Sequence, residues 1–320
     1  MHFNVQVLLR AVECVAAFFL VGFLGYRLSA RGWFSRESAD MLTRLTTSIV
    51  IPINLFCTIN ASTKKEQFLP ILHYLFLPSV SIAIVMLIAA AAVKALDVPR
   101  SRRPVVITAA ACSNTINIGL PINLALFGTD AIPAVLLYYM GNTIVFWTVG
   151  DYLLSSGGGD GPKAPLFRLG TVKRFFPPPI LAFLAGLALL VLGVKIPGVF
   201  AMAGGQVGSM ITPLSLLCVG IAIWQTGLKN IRFDRDIVLI AIGRFIVSPV
   251  VLVALLRFFP VPPLMRDVFI IQCSLPPMAS IVLLAIRYKC APGFASVSVS
   301  LCTLCSLPTV PFFMMLVQWL

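Results

Sequence analysis

Charge is scarce in this chain. Only 11% of its 320 residues are charged, against roughly 25% in soluble globular proteins. Acidic residues are the scarcer sign, 11 Asp and Glu against 24 Lys and Arg. An ordinary soluble domain is thereby excluded. There are two histidines, and no HExxH, GxSxG or P-loop pattern occurs. Zinc-protease, hydrolase and nucleotide-driven chemistry lack their residues, so no enzyme, no metal site and no cofactor is expected. GGGD at 157–160 matches the GxGD pattern of intramembrane aspartyl proteases. However, it sits in a Gly-rich loop, and no second Asp lies mid-membrane to share a proton. The cysteine pair Cys302 and Cys305 forms a CxxC without a second CxxC or a histidine nearby. Packing explains it better than zinc, and no structural disulfide is expected.

What the chain has is apolar sequence, 59% of residues with a mean hydropathy of +0.99. A spanning helix needs about 20 mostly apolar residues. Ten such runs can be marked: 5–28, 41–60, 68–93, 104–127, 131–154, 176–194, 198–226, 237–259, 265–286 and 292–319. They are spans 1 to 10 below. Span 1 is too long for a signal-peptide core and carries Glu13. The expected fold class is an all-α integral membrane protein of ten transmembrane helices.

The net charge of +13 would suggest nucleic acid on a soluble protein. Here the basic residues fall in the short loops, so no nucleic-acid partner is expected. With ten spans, Arg10, Lys64, Lys65, Lys195, Arg257 and Arg266 fall on one side. Every other Lys and Arg falls on the opposite side, save Arg244, which lies inside span 8. The positive-inside rule then places both termini outside the cytoplasm. Compact size and short loops suggest a multi-pass protein of a bacterial inner membrane.

The polar loop SSGGGDGPKAPLFRLGTVKRF (155–175) divides the chain. Residues 1–155 and 176–320 read as two five-span halves joined by a cytoplasmic linker at 156–175. PINLFC (52–57) pairs with PLSLLC (213–218), and Cys112-Ser113 pairs with Cys273-Ser274 at the same offset. Because five is odd, a second copy must enter from the opposite side. That gives an inverted repeat, a recurring transporter architecture.

The stretch SNTINIGLPIN (113–123) puts three asparagines, a glycine and a proline inside an apolar run. Pro121 lacks an N–H and Gly119 is a poor helix former. A break of span 4 near 118–121 is therefore expected. Span 9 carries Leu275-Pro276-Pro277 beside Gln272, Ser274 and Ser280. Freed backbone groups in lipid cost on the order of several kcal/mol each, and are tolerated only inside protein or along a cavity. Two interrupted helices at matching places in two halves point to a transporter's binding site. Their half-helix N-termini suit an anion.

LTRLTTSIVIPINLF (42–56), SNTINIGLPI (113–122), YYMGNTIVFW (138–147) and RFIVSP (244–249) together resemble the auxin efflux carrier (membrane transport protein) family. That family includes plant PIN auxin carriers and bacterial malonate-type transporters. The resemblance implies two inverted five-helix repeats with spans 4 and 9 crossing at their breaks, a layout shared with bile-acid-symporter and NhaA-like folds. It implies a scaffold of spans 1, 2, 6 and 7, a transport domain of spans 3–5 and 8–10, a homodimer, and elevator-type alternating access. Substrate contacts carried over by position fall on Asn114, Thr115, Asn117, Gly119 and Pro121, and on Gln272, Ser274, Pro276 and Pro277. The short central loop sets this chain apart from plant members. Pro276-Pro277 stands where the family often shows a more polar residue.

Further candidates come from single residues. Arg244 lies about eight residues into span 8, roughly 12 Å along it. It is a counter-charge for a substrate carboxylate, a partner that stabilises the transport domain, or a snorkelling cation near the cytoplasmic face. Asn142 either bridges helices or lines the site. Pro52 and Pro213 would bend spans 2 and 7, with Asn54 and Ser215 two residues on. Gly204 and Gly208 form a GxxxG suited to close packing. Arg10 and Glu13 are spaced to pair on one helix face. Asp151 reads as an interfacial acid and His73 as an interfacial residue. The expected function is secondary transport of a small organic anion, a mono- or dicarboxylate of malonate-like or auxin-like kind, in a lipid bilayer. The alternatives are a membrane sensor or a channel. A coupling ion, proton or sodium, is not chosen by any residue. In a bacterial host, a phosphatase fused to the C-terminus is expected to be active and a fluorescent protein there dark. The reverse pattern would overturn the assignment of sides.

Overall fold

A backbone in hydrocarbon has no water to satisfy its N–H and C=O groups, so it must bond to itself. In the computed structural model the described residues, 20–62, 69–157, 178–194, 196–226 and 234–317, are almost wholly helical. Among them the single β interaction is an isolated antiparallel bridge between Ser113 and Pro277. The Arg10–Glu13 pair and most of the central loop lie outside the described residues.

The α-helices, in chain order, begin with α1 (20–30), α2 (Arg36–Leu45), α3 (Ile51–Ser62), α4 (Phe76–Ala95) and α5 (Arg103–Ala111). Next come α6 (Leu120–Phe127), α7 (Ile132–Val145), α8 (Asp151–Gly157), α9 (Pro178–Leu192), α10 (Gly198–Ser209) and α11 (Ile211–Thr226). The last are α12 (Arg235–Ile242), α13 (Ser248–Phe258), α14 (Pro263–Cys273), α15 (Ser280–Arg287) and α16 (Pro292–Val317). Four π-helical turns, Thr46–Val50, Thr115–Gly119, Phe146–Gly150 and Gly243–Val247, each lead into the next α-helix. Among the described residues, three continuous helical stretches are long and apolar enough to cross a membrane: Pro70–Ala95, Leu120–Gly157 and Arg235–Phe258. The pair Pro292–Ser306 and Pro308–Val317, bent by 49°, makes a fourth. The bend falls at Pro308, which cannot donate to the helical ladder.

Contacts divide the chain into two units. The first holds residues 1–73, 116–133 and 176–228. Within it α3 packs on α9 and α10, and small residues set the spacing. A Cβ on Gly204 would strike Cys57 Sγ, and one on Gly208 would lie 2.6 Å from Asn54 Nδ2. The GxxxG therefore seats α10 on α3. Helices α1 and α11 approach more closely still, backbone to backbone. A Cβ on Gly25 would lie 2.5 Å from the Leu217 carbonyl oxygen, and one on Gly220 would overlap the carbonyl of Gly22. Tyr26 and Trp224 meet edge to face at 5.5 Å beside this crossing. Span 7, expected as one bent helix, is two helices separated at Met210. Pro213 falls in the first turn of α11, where its missing N–H costs nothing.

The second unit holds residues 74–115, 134–175 and 229–320. Its centre is α5, whose residues Pro104 to Ala111 are all buried. A helix apolar on every side belongs in a core. Its alanines admit close neighbours, since a Cβ on Gly243 would sit 2.7 Å from Ala110 Cβ. At one end, Arg102 Nη1 donates to Asp234 at 2.5 Å and to Asp236 at 2.9 Å. Asp234 also caps α12, accepting from the Asp236 N–H. The hydrogen bond from Arg102 holds the Asp234 carboxyl below the usual carboxylate range.

Gly220→Val is expected to destabilise the detergent-purified protein by about 1–3 kcal/mol, the usual cost of overpacking, read as a lower melting temperature. Gly205→Ala, in open space within α10, is expected to leave it unchanged. Equal melting temperatures for the two variants would refute the backbone contact of α1 with α11.

Candidate functional site

Helix α5 ends at Cys112, whose N–H still bonds to the Thr108 carbonyl, and whose ψ of 123° turns the chain into an extended conformation. Span 4 thus breaks at Cys112–Asn114, not at 118–121 as its sequence suggests. Gly119 keeps helical dihedrals, and Pro121 sits in the first turn of α6. Proline is tolerated there because the first N–H groups of a helix have no partner within it. Helix α14 ends at Cys273, and α15 begins at Ser280.

The two breaks pair with each other within the second unit. Asn114 N–H donates to the Pro276 carbonyl at 2.8 Å, and Met278 N–H donates to the Cys112 carbonyl at 3.1 Å. Between them lies the Ser113–Pro277 bridge. The Asn142 side chain completes the arrangement. Its Oδ1 accepts from Ser113 N–H and its Nδ2 donates to the Ser113 carbonyl, both at 3.0 Å. Asn142 is fully buried and acts as a surrogate strand for Ser113. Of its two sequence readings, the helix bridge is the one this geometry displays.

Arg244 is also fully buried, which removes the snorkelling reading. Its Nη2 donates to the Cys273 carbonyl at the end of α14 and to Ser248 Oγ at 2.8 Å. A cation at a helix C-terminus complements the dipole. Its Nε and Nη1 find no protein partner. Among the described residues, Ser113 Oγ, Thr115 Oγ1 and Gln272 Oε1 of the crossover are equally unmatched. The Gln272 amide is anchored through Nε2, which donates to the Thr115 carbonyl at 3.3 Å. An unmatched buried polar group costs about 1–3 kcal/mol, and a charged one more. Ser274 spends its hydroxyl on the Ile270 and Ile271 carbonyls.

The predicted site residues therefore fall into two sets. Asn114, Thr115, Asn142, Arg244, Gln272, Ser274, Pro276 and Pro277 belong to the second unit. Asn54, Asn117, Gly119 and Pro121 belong to the first. Asn54 is half-buried on α3, with an Oδ1 that has no partner, and Asn117 lies in the π turn before α6. Asp151, read from the sequence as an interfacial acid, is buried within the protein and accepts from the Tyr288 hydroxyl at 3.0 Å. No local pattern joins two residues so far apart in the chain. Among the described residues no cluster of His, Cys, Asp or Glu could hold a metal ion.

The membrane transport protein family matches residues 10–165 and again 165–314. An uncharacterized transporter of Methanothermobacter thermautotrophicus is 23% identical over 312 residues, covering 96% of this chain and 98% of its own. An uncharacterized transporter of Methanocaldococcus jannaschii is 22% identical over 285 residues, covering 87% and 89%.

Asn142→Ala strands both backbone groups of Ser113. Its expected cost is roughly 1–3 kcal/mol of stability per stranded group, seen as a lower melting temperature. Ser156→Ala, at an exposed position, is expected to melt like the parent. An Asn142→Ala protein that also did so would remove the clamp.

Proposed function

Because the chain belongs to the membrane transport protein family, we propose that it is a secondary active transporter of a small organic anion, a mono- or dicarboxylate. The observation that carries this reading is Arg244. A fully buried guanidinium leaves two nitrogens unmatched at the end of α14, and the same crossover holds the unmatched Thr115 hydroxyl and Gln272 carbonyl oxygen. A carboxylate is an acceptor for such a charged donor, by a single charge-assisted hydrogen bond from Nη1 or from Nε, because these two diverge and both forks of the group need Nη2. Thr115 would donate its hydroxyl to a second oxygen, and Gln272 Oε1 would accept from a substrate hydroxyl or a protonated acid.

Transport follows if the crossover is presented alternately to the two sides. In this reading spans 3–5 and 8–10 carry the substrate past spans 1, 2, 6 and 7, in two inverted repeats and as a homodimer. The protein would sit in an inner membrane with both termini outside the cytoplasm. With no nucleotide-binding pattern, the driving force is an ion gradient or the substrate's own charge in the membrane potential. A channel would need a polar stripe along several helices. Among the described residues of the second unit, the unmatched side-chain atoms of Ser113, Thr115, Arg244 and Gln272 lie at the crossover, with others at Ser81, Tyr138 and Thr143.

Purified protein titrated with malonate, other short carboxylates, amino acids and indole-3-acetate is expected to gain thermal stability with a carboxylate. At 100 times Kd the gain is about 2.7 kcal/mol. The shift is expected to vanish in Thr115→Val and Gln272→Met, which keep side-chain volume. A shift with cationic or neutral solutes alone would overturn the anion assignment, and unitary currents in a bilayer would favour a channel.

A further inference from the structure

A second basic feature of the second unit lies apart from the crossover. Between α13 and α14 the chain turns through Phe259-Pro260-Val261-Pro262. Here a cavity of about 270 Å³ is lined by Val253, Leu256, Arg257, Pro260, Val261, Arg266 and Ile270. Arg257 ends α13 and is exposed, with no carboxylate partner among the described residues. Arg266 stands in the first turn of α14 and holds Asp267 at 2.8 Å.

Three sources of positive potential meet here. Two are the guanidinium groups. The third is the N-terminus of α14, which opens on Pro262 and Pro263 with no side-chain cap and carries about half a positive charge. Asp267 pairs with Arg266, while Arg257 has no carboxylate partner among the described residues. Arg266 is moreover on the unfavourable end of its helix dipole. Such a cluster calls for an anion.

The surroundings say which kind. Arg235–Phe258 is apolar enough to cross a membrane and ends beside the cavity. The adjoining Phe258 is 79% exposed. Phe259 and Phe76, both also exposed, meet edge to face at 5.1 Å. Bare aromatic surface of this extent belongs in lipid. The cavity is therefore at the level where hydrocarbon gives way to headgroups, and Val253, Leu256, Val261 and Ile270 supply an apolar wall that a free inorganic ion would not use.

We propose that this cavity binds the phosphate of an anionic phospholipid, with Arg257 and Arg266 holding the phosphate oxygens and the first carbons of an acyl chain lying along the apolar wall. It is a lipid site on the second unit, separate from the proposed substrate site and independent of it. Each arginine near a headgroup contributes about fivefold in lipid affinity.

The test is native mass spectrometry of the full-length protein in detergent, titrated with phosphatidylglycerol, with phosphatidylcholine of the same chains, and with glycerol phosphate. Selective retention of phosphatidylglycerol is expected. Arg257→Gln is expected to lower its affinity about fivefold and Arg257→Lys to restore most of it. Val261→Trp, which fills the cavity and leaves both charges, is expected to weaken phosphatidylglycerol as well. Equal retention in Arg257→Gln and the parent would overturn the proposal. Equal binding of glycerol phosphate and phosphatidylglycerol would also overturn it, by showing a soluble-anion site.

Discussion

An interrupted helix inside a membrane protein must find partners for the backbone groups it frees, and water is not there to provide them. The second unit meets this by turning two interruptions toward each other. Asn114 and Met278 donate across the crossover, Pro276 and Cys112 accept, and Asn142 takes both groups of Ser113. The all-buried α5, with its alanine surface, brings Gly243 and hence the neighbouring Arg244 close to this point. The site is thus a by-product of satisfying a backbone. Beside these main-chain bonds stand the unmatched side-chain atoms of Thr115, Arg244 and Gln272, the ones that the proposed function would offer to a ligand.

Arg244 illustrates the balance. One of its nitrogens is consumed by the Cys273 carbonyl and the Ser248 hydroxyl, which fixes the guanidinium at the end of α14. The rest of the fork stays unmatched. Anchoring through Nη2 holds a long flexible side chain in place, so the entropy cost of ordering its other two nitrogens as donors is met during folding rather than on binding.

Much of the class was legible before any coordinates. Scarce charge and long apolar runs imply a helical membrane protein, and the helices and the family match agree. The interruptions were legible as events but not as positions. In span 4 the residues that advertise a break, Gly119 and Pro121, fall in a helix start where they cause none, and the break occurs at Cys112–Asn114, whose residue types give no warning. In span 7 the separation at Met210 lies one turn before Pro213, which cannot donate to the Ser209 carbonyl in a continuing helix, so the proline gives a break where the sequence suggested a bend. Asn142 could be seen as a buried amide, but its partner is a backbone, and backbone partners leave no mark in residue identity. The same holds for Asp151 and Tyr288, joined only by the fold. Membership of the two units was not legible for the polar stretch 113–123, which the unit boundary divides after Thr115.

The four π-helical turns have a consequence for how this chain tolerates change. A π turn holds one residue more than an α turn, and each residue advances a helix by about 100°. Removing a single residue from Gly243–Val247 would let the ladder from α12 to α13 close as ordinary α-helix at no cost in hydrogen bonds. Everything beyond it would keep its facing, because the turn loses only its extra residue, but a loss between Arg244 and Ser248 would shorten their spacing from four residues to three and part the guanidinium from the hydroxyl that holds it. Such a deletion would read as harmless in any hydropathy profile. Length within these turns is therefore as much a part of the specification as residue identity.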